Sequence, residues 1–246
     1  LGDVYKRQVD TSGSFNNELY ALQLAMLDEL IKGLDADDLF NVLIYDYDAK
    51  LLMNQYVEPT EENRKVVLAK LNTFMRLGST NLRKAFKLAW ENLDASEPTT
   101  IILLGDGIST QGEVRSMFLA REIAEMKIGK SDLTVADAKA NVRVFPVSIG
   151  NTYDKKMLDT LAKQFQGRVI HLTRDKNPQE TAKELLDLLN SQMLTDVTIK
   201  IDDAQVDNIY PEKFPALISG QQISFVTEYE VAGSAAKISI SGKLRG

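Results

Sequence analysis

The sequence predicts an α/β protein, a doubly wound and mostly parallel sheet followed by a small, incomplete all-β segment. Three observations carry this expectation. Strand-like and helix-like patterns alternate up to Met193. Two continuous apolar runs, 99–105 and 142–149, have the character of strands covered on both faces. After Leu194 the apolar period changes from helical to every second residue.

Taken in order, apolar residues at 19, 22, 26, 30 and 34 predict an amphipathic helix over 16–34, with Gly33 near its end as a stop. Residues 39–45 read as a mostly apolar strand, and 51–57 as a second strand joined to it through the Asp46-Tyr47-Asp48-Ala49 turn. Helical spacing returns over 61–76 and again over 82–93, separated by the polar break Leu77-Gly78-Ser79-Thr80-Asn81. Strand 99–105 ends in Asp106-Gly107, and strand 142–149 ends in Gly150-Asn151. Helices are expected over 114–127 and 154–165, a short strand over 168–172, and a last helix with apolar positions 182, 185, 186, 189 and 193. Beyond the boundary at about 194, alternation at 197, 199 and 201, at 223, 225, 229 and 231, and at 238, 240 and 244 predicts about three strands. The segment 127–141 reads as a solvated insertion away from the strand carboxyl ends.

Composition excludes several classes of function. With 29 basic and 35 acidic side chains the net charge is −6, unsuited to nucleic acid or an anionic membrane surface as main partner. The absence of Cys removes disulfides, thiolate metal sites and cysteine nucleophiles, and His171 is the only imidazole. No apolar run is long enough to span a membrane. Leu1 to Gln8 is too short and polar for a signal peptide and reads as a leader outside the domain. The missing initiator Met suggests a fragment.

The chemistry-bearing residues emerge from counting directions. If the first strand rises, the alternation delivers the Gly78 to Asn81 turn and Asp106 to the same upper edge as Asp10-Thr11-Ser12-Gly13-Ser14. Asp10, Ser12, Ser14, Thr80 and Asp106 then converge at the strand carboxyl ends, where open α/β sheets bind ligands. For Ser14 taken alone, a helix N-cap is the plainer role. Together, oxygen donors without His or Cys select a hard cation. Hydroxyls mixed with only two carboxylates suit magnesium, with manganese or calcium as alternatives. Such a cation keeps waters that a carboxylate from another molecule can displace, so an acidic ligand is expected.

These residues resemble the metal-ion-dependent adhesion site of the von Willebrand factor type A domain. Asp10, Ser12 and Ser14 match its Asp-x-Ser-x-Ser element, Thr80 its distant threonine and Asp106 its distant aspartate. The resemblance covers about residues 9–193. It implies direct metal contacts from Ser12, Ser14 and Thr80, with the aspartates often acting through water. It also implies a protein or matrix partner presenting a carboxylate. The departure is at the amino end, where residues 1–8 lack the family's apolar first strand. In the tail, Ile209-Tyr210-Pro211 and the run from Phe214 to Gln221 are similar to the segment after the A domain in inter-alpha-trypsin inhibitor heavy chains and their bacterial relatives. That likeness implies an extracellular, cell-surface or periplasmic setting, and zero Cys leans toward a bacterial version.

Two rival readings are weighed against an adhesion module that is not an enzyme. A haloacid-dehalogenase-like, magnesium-dependent phosphohydrolase would use Asp10, Thr80 and Asp106, but Ser12 stands where its second, proton-donating Asp is required. A structural A-like domain with an idle metal site is the other. His171 reads as a packed residue, Asp46 and Asp48 as a polar hairpin turn, and Trp90 as a core or interface anchor.

Overall fold

A computed structural model describes residues 4–10, 16–74, 78–93, 98–127, 142–191, 193–202, 204–211, 214, 217–218, 222–231 and 237–245. The chain divides into two compact units, Leu1–Leu186 and Asp187–Gly246.

The first unit is α/β. Its strands are β1 (Val4–Asp10), β2 (Leu39–Tyr45), β3 (Ala49–Leu51), β4 (Thr99–Leu104), β5 (Val142–Ile149) and β6 (Ile170–Leu172). Its helices are α1 (Asn17–Lys32), α2 (Glu61–Asn72), α3 (Leu82–Glu91), α4 (Ser116–Glu125), α5 (Lys155–Gln164) and α6 (Pro178–Leu189), the last reaching into the second unit. The sheet order is β3-β2-β1-β4-β5-β6, parallel throughout except for β3. The chain leaves β1 for β2 on one side and returns to β4 on the other. The strand order therefore reverses between β1 and β4, the switch point at which doubly wound sheets open a crevice.

Burial explains why the apolar runs become strands. All six residues of β4 are buried, as are six of seven in β2. On one face, α3 presents Leu82, Ala85, Phe86, Ala89 and Trp90 at helical spacing. Trp90 is fully buried, with ring centroids 5.4 Å from Phe86 and 5.5 Å from Phe165, and its indole N–H donates to the Ile123 carbonyl at 3.1 Å. Trp90 is thus a core anchor. Each such side chain contributes about 1.5–3 kcal/mol by leaving water.

Four elements differ from the sequence reading. Val4–Asp10 is a strand paired on both sides, with Val4 opposite Leu39 and Thr99, so five of the first eight residues belong to the sheet. Lys6, Arg7 and Gln8 hide it from a search for apolar runs, while its pairing with β2 and β4 is made by backbone groups that every residue here carries. The strand expected over 51–57 shrinks to β3, followed by an isolated bridge between Phe40 and Val57. Between them, Asn41 Nδ2 donates to the carbonyls of Met53 and Gln55, so a side chain replaces part of the ladder. The helix expected over 61–76 ends at Asn72. The last helix stops at Leu189, and Met193 already begins a strand. The segment 128–141 lies outside the described residues.

The second unit contains β7 (Met193–Asp202), β8 (Ala204–Tyr210), β9 (Leu217–Ile218), β10 (Val226–Val231) and β11 (Lys237–Arg245). They form a three-stranded sheet in the order β11-β7-β9 and a two-stranded sheet of β10 with β8. Strands β8 and β9 add to the three expected, since neither carries a sustained alternation of apolar and polar residues.

Candidate functional site

Asp10 is the last residue of β1 and pairs with Tyr45, while Val9 pairs with Leu104, the last residue of β4. Gly105 and Asp106 follow directly, so both aspartate positions lie at the carboxyl ends of the two strands that flank the switch point. Ser12 and Ser14 lie outside the described residues. The capping role weighed for Ser14 is taken by Asn16, whose side chain accepts from the Leu19 N–H at 2.9 Å at the start of α1.

Thr80 comes from a different part of the chain and is stapled to the segment after Asp106. Its carbonyl accepts from the N–H groups of Thr110 at 2.9 Å and Gln111 at 3.0 Å, and from the Ser109 hydroxyl at 3.3 Å. Its own N–H donates to Thr110 Oγ1 at 2.8 Å. On the other side the Asn81 N–H donates to the Asp46 carbonyl at 2.7 Å, and the Asn81 side chain caps α3 by accepting from Lys84 N–H at 3.1 Å. Thr80 is therefore held between the β2–β3 turn and the loop after β4. Only 2% of Thr80 and 7% of Asp106 is exposed.

Asp106 is fixed by its own turn. Its Oδ1 accepts from the Ile108 N–H at 2.9 Å, and its carbonyl accepts from the Asp154 N–H at 2.8 Å at the start of α5. Gly107 makes this turn with φ +73°, and a Cβ placed there would lie 2.5 Å from Leu158 Cδ2. Both the backbone conformation and the close approach of Leu158 require glycine.

A cavity of about 520 Å³ opens beside Asp106 at the same edge, lined also by residues that follow β5 and β6. Among the described residues no group of three His, Cys, Asp or Glu stands together as a metal cage. A donor set of hydroxyls with only two carboxylates is of another kind. Thr80 and Asp106, both hard oxygen donors, suit magnesium-like cations on chemistry alone.

The residues set aside in the sequence have local partners. Asp46 Oδ1 accepts from the Asp48 N–H at 2.9 Å, and Asp48 pairs with Lys84 at 3.1 Å, which holds its carboxyl below the usual value. His171 Nδ1 is 2.7 Å from the Ser148 hydroxyl, and its ring packs against Tyr153 at a 40° tilt with centroids 5.1 Å apart. Ser148 is fully buried, so this pair offers no accessible nucleophile. Sequence reasoning missed Thr110 and Asp154 as supports of the site. The Ser109-Thr110 pair after Asp106-Gly107 was the available signal, but its partner lies 30 residues away.

The model of the von Willebrand factor type A domain matches residues 8–170, more than half of the chain. The chain belongs to this family. Among solved structures, the von Willebrand factor type A protein of Catenulispora acidiphila superposes with TM-score 0.65 at 16% identity, covering 100% of this chain and 63% of that one. Proximal thread matrix protein 1 of the mussel byssus, in a form described as having a zinc-occupied metal-ion-dependent adhesion motif, gives TM-score 0.56 at 18% identity over 83% of this chain and 50% of that one. The inter-alpha-trypsin inhibitor heavy chain H4 of Homo sapiens is 22% identical over 96% of this chain, which spans 25% of that protein. The chain thus spans about a quarter of the length of the curated relatives it matches. A domains as a family are protein-binding and adhesion modules, generally without enzymatic activity. Among the described residues of this A domain, no helix is long and apolar enough to cross a membrane.

Proposed function

We propose that this A domain binds a protein partner through a divalent cation, magnesium by preference, held by Asp10, Ser12, Ser14, Thr80 and Asp106, and that it catalyses no reaction. The observation that carries the reading is the meeting of two distant loops beside the switch point. Asp106 leaves β4 there, and Thr80 is bonded to the residues just after it. When bound, the cation supplies an electrophilic centre for a carboxylate oxygen of the partner. The chain's own part is to hold the hydroxyls and carboxylates in place, and the Asp106 turn and the Thr80 staple serve this for Asp106 and Thr80. The zinc-occupied motif of the mussel protein supports a divalent ion at such a site, and the heavy-chain relatives support an extracellular, cell-surface or periplasmic setting.

Calorimetric titration of the 1–246 chain with Mg2+ tests the site. Asp106→Ala and Ser12→Ala should each remove binding while leaving the circular dichroism spectrum helical. Unchanged affinity in both variants would sink the assignment. A magnesium-supplemented phosphatase screen should be flat, and turnover lost on Asp10→Asn would favour the phosphohydrolase instead.

A further inference from the structure

The cavity beside Asp106 has a second feature that the metal does not use. Its wall includes Asp106 and Ile108 after β4, Asn151 and Thr152 after β5, Arg174 after β6 and Asn16 at the start of α1. At about 520 Å³ it falls in the range of clefts that take a small ligand or a short peptide, about 300–1,000 Å³. Among the described residues of this wall, Arg174 is the only cation. The Arg174 side chain is 52% exposed and is paired with Glu18, itself 62% exposed, at 3.6 Å. A pair so open to water is worth little and exchanges readily for another carboxylate. The guanidinium offers a planar fork of donors matched to a carboxylate.

We propose that Arg174 reads a second acidic group of the partner, so that the cleft selects a segment carrying two nearby carboxylates, one at the metal site and one at Arg174. This rests on the metal-binding reading above. Without a cation, Asp106 in the wall and Glu18 paired with Arg174 outnumber the one guanidinium, so the second contact operates only once the first is made. Arg174 is thereby a specificity residue, and Glu18 its internal competitor, which an incoming carboxylate displaces.

The test uses the 1–246 chain and fluorescein-labelled peptides. One carries a single Asp in a glycine background, and the others carry two Asp separated by one, two or three glycines. Binding is followed by anisotropy with excess Mg2+ or with EDTA, and Mg2+ affinity is measured separately by calorimetry. At least one diacidic peptide should bind about three- to tenfold tighter than the monoacidic one in Mg2+, and none should bind in EDTA. Arg174→Gln should erase that preference, and Glu18→Gln should enlarge it, both with Mg2+ affinity unchanged. Equal affinity for the two peptide classes, absence of peptide binding while Mg2+ still binds, or a preference that survives Arg174→Gln would overturn the Arg174 proposal and leave the metal reading standing. Failure of the wild-type chain to bind Mg2+ would overturn both.

Discussion

Thr80 and Thr110 are hydrogen-bonded in both directions. The Thr80 N–H donates to Thr110 Oγ1 at 2.8 Å, and the Thr80 carbonyl accepts from the Thr110 N–H at 2.9 Å. This reciprocal pair joins the turn before α3 to the loop after β4, two segments 30 residues apart in the chain. Thr80 of the proposed site is therefore braced by a residue outside the proposed donor set.

Thr110→Val tests this dependence, because it keeps the shape and the backbone bond but deletes the acceptor for the Thr80 N–H. The expected cost is about 1–2 kcal/mol in urea unfolding, the order of one lost hydrogen bond with a donor left behind. Mg2+ affinity should fall several-fold in calorimetry, while Thr110→Ser should restore both. A variant with wild-type metal affinity would show that Thr80 is held without this staple.

Gly107→Ala should be damaging out of proportion to its size. The residue has φ +73°, and the new Cβ would lie 2.5 Å from Leu158 Cδ2. The left-handed conformation alone costs about 1–2 kcal/mol for a residue with a Cβ, and the clash adds to it. Adding Leu158→Ala should relieve the clash but not the backbone strain. The double-mutant cycle, read by urea midpoints, should therefore show a favourable coupling between the two changes. Simple additivity would contradict the contact.

Trp90→Ala should destabilise the A domain by about 3–5 kcal/mol, since it empties a fully buried site between Phe86 and Phe165. Trp90→Phe should cost less, because it keeps ring packing while losing volume and the hydrogen bond to Ile123. Trp90 is the only tryptophan of the chain, so unfolding is best followed by circular dichroism. If Trp90→Ala unfolded at the wild-type urea concentration, its place at the centre of the core would be wrong.

His171 should make stability depend on pH in one direction. Burial holds its imidazole below the ordinary value of 6.5, and Lys176 and Lys155 push the same way. Protonation is then easier in the unfolded chain, so the contribution of neutral His171 is fully present above about pH 6.5. It is lost as pH falls below that value toward the folded-state one. Urea midpoints of the wild type should decline through this window more steeply than those of His171→Gln. Parallel profiles would assign the acid sensitivity to other groups.

The sequence by itself determined the architecture of the first unit and the residue types of the candidate site. Continuous apolar runs such as 99–105 can be stable only when covered on both faces, and α3 shows its buried stripe at Leu82, Ala85, Phe86, Ala89 and Trp90 by spacing alone. Directions then follow from alternation, which is why Asp106 and the Thr80 turn could be assigned to one edge before any coordinate was known. Tertiary structure alone decided what depends on partners distant in the chain. It drew polar Lys6-Arg7-Gln8 into the centre of the sheet through backbone pairing with β2 and β4. It ended β3 after three residues where the Asn41 side chain intervenes, and it bonded Thr80 to Thr110 across 30 positions. It also brought Arg174 into the same cavity as Asp106. Periodicity records which face of an element is buried, but a hydrogen bond between two loops leaves no period in the sequence.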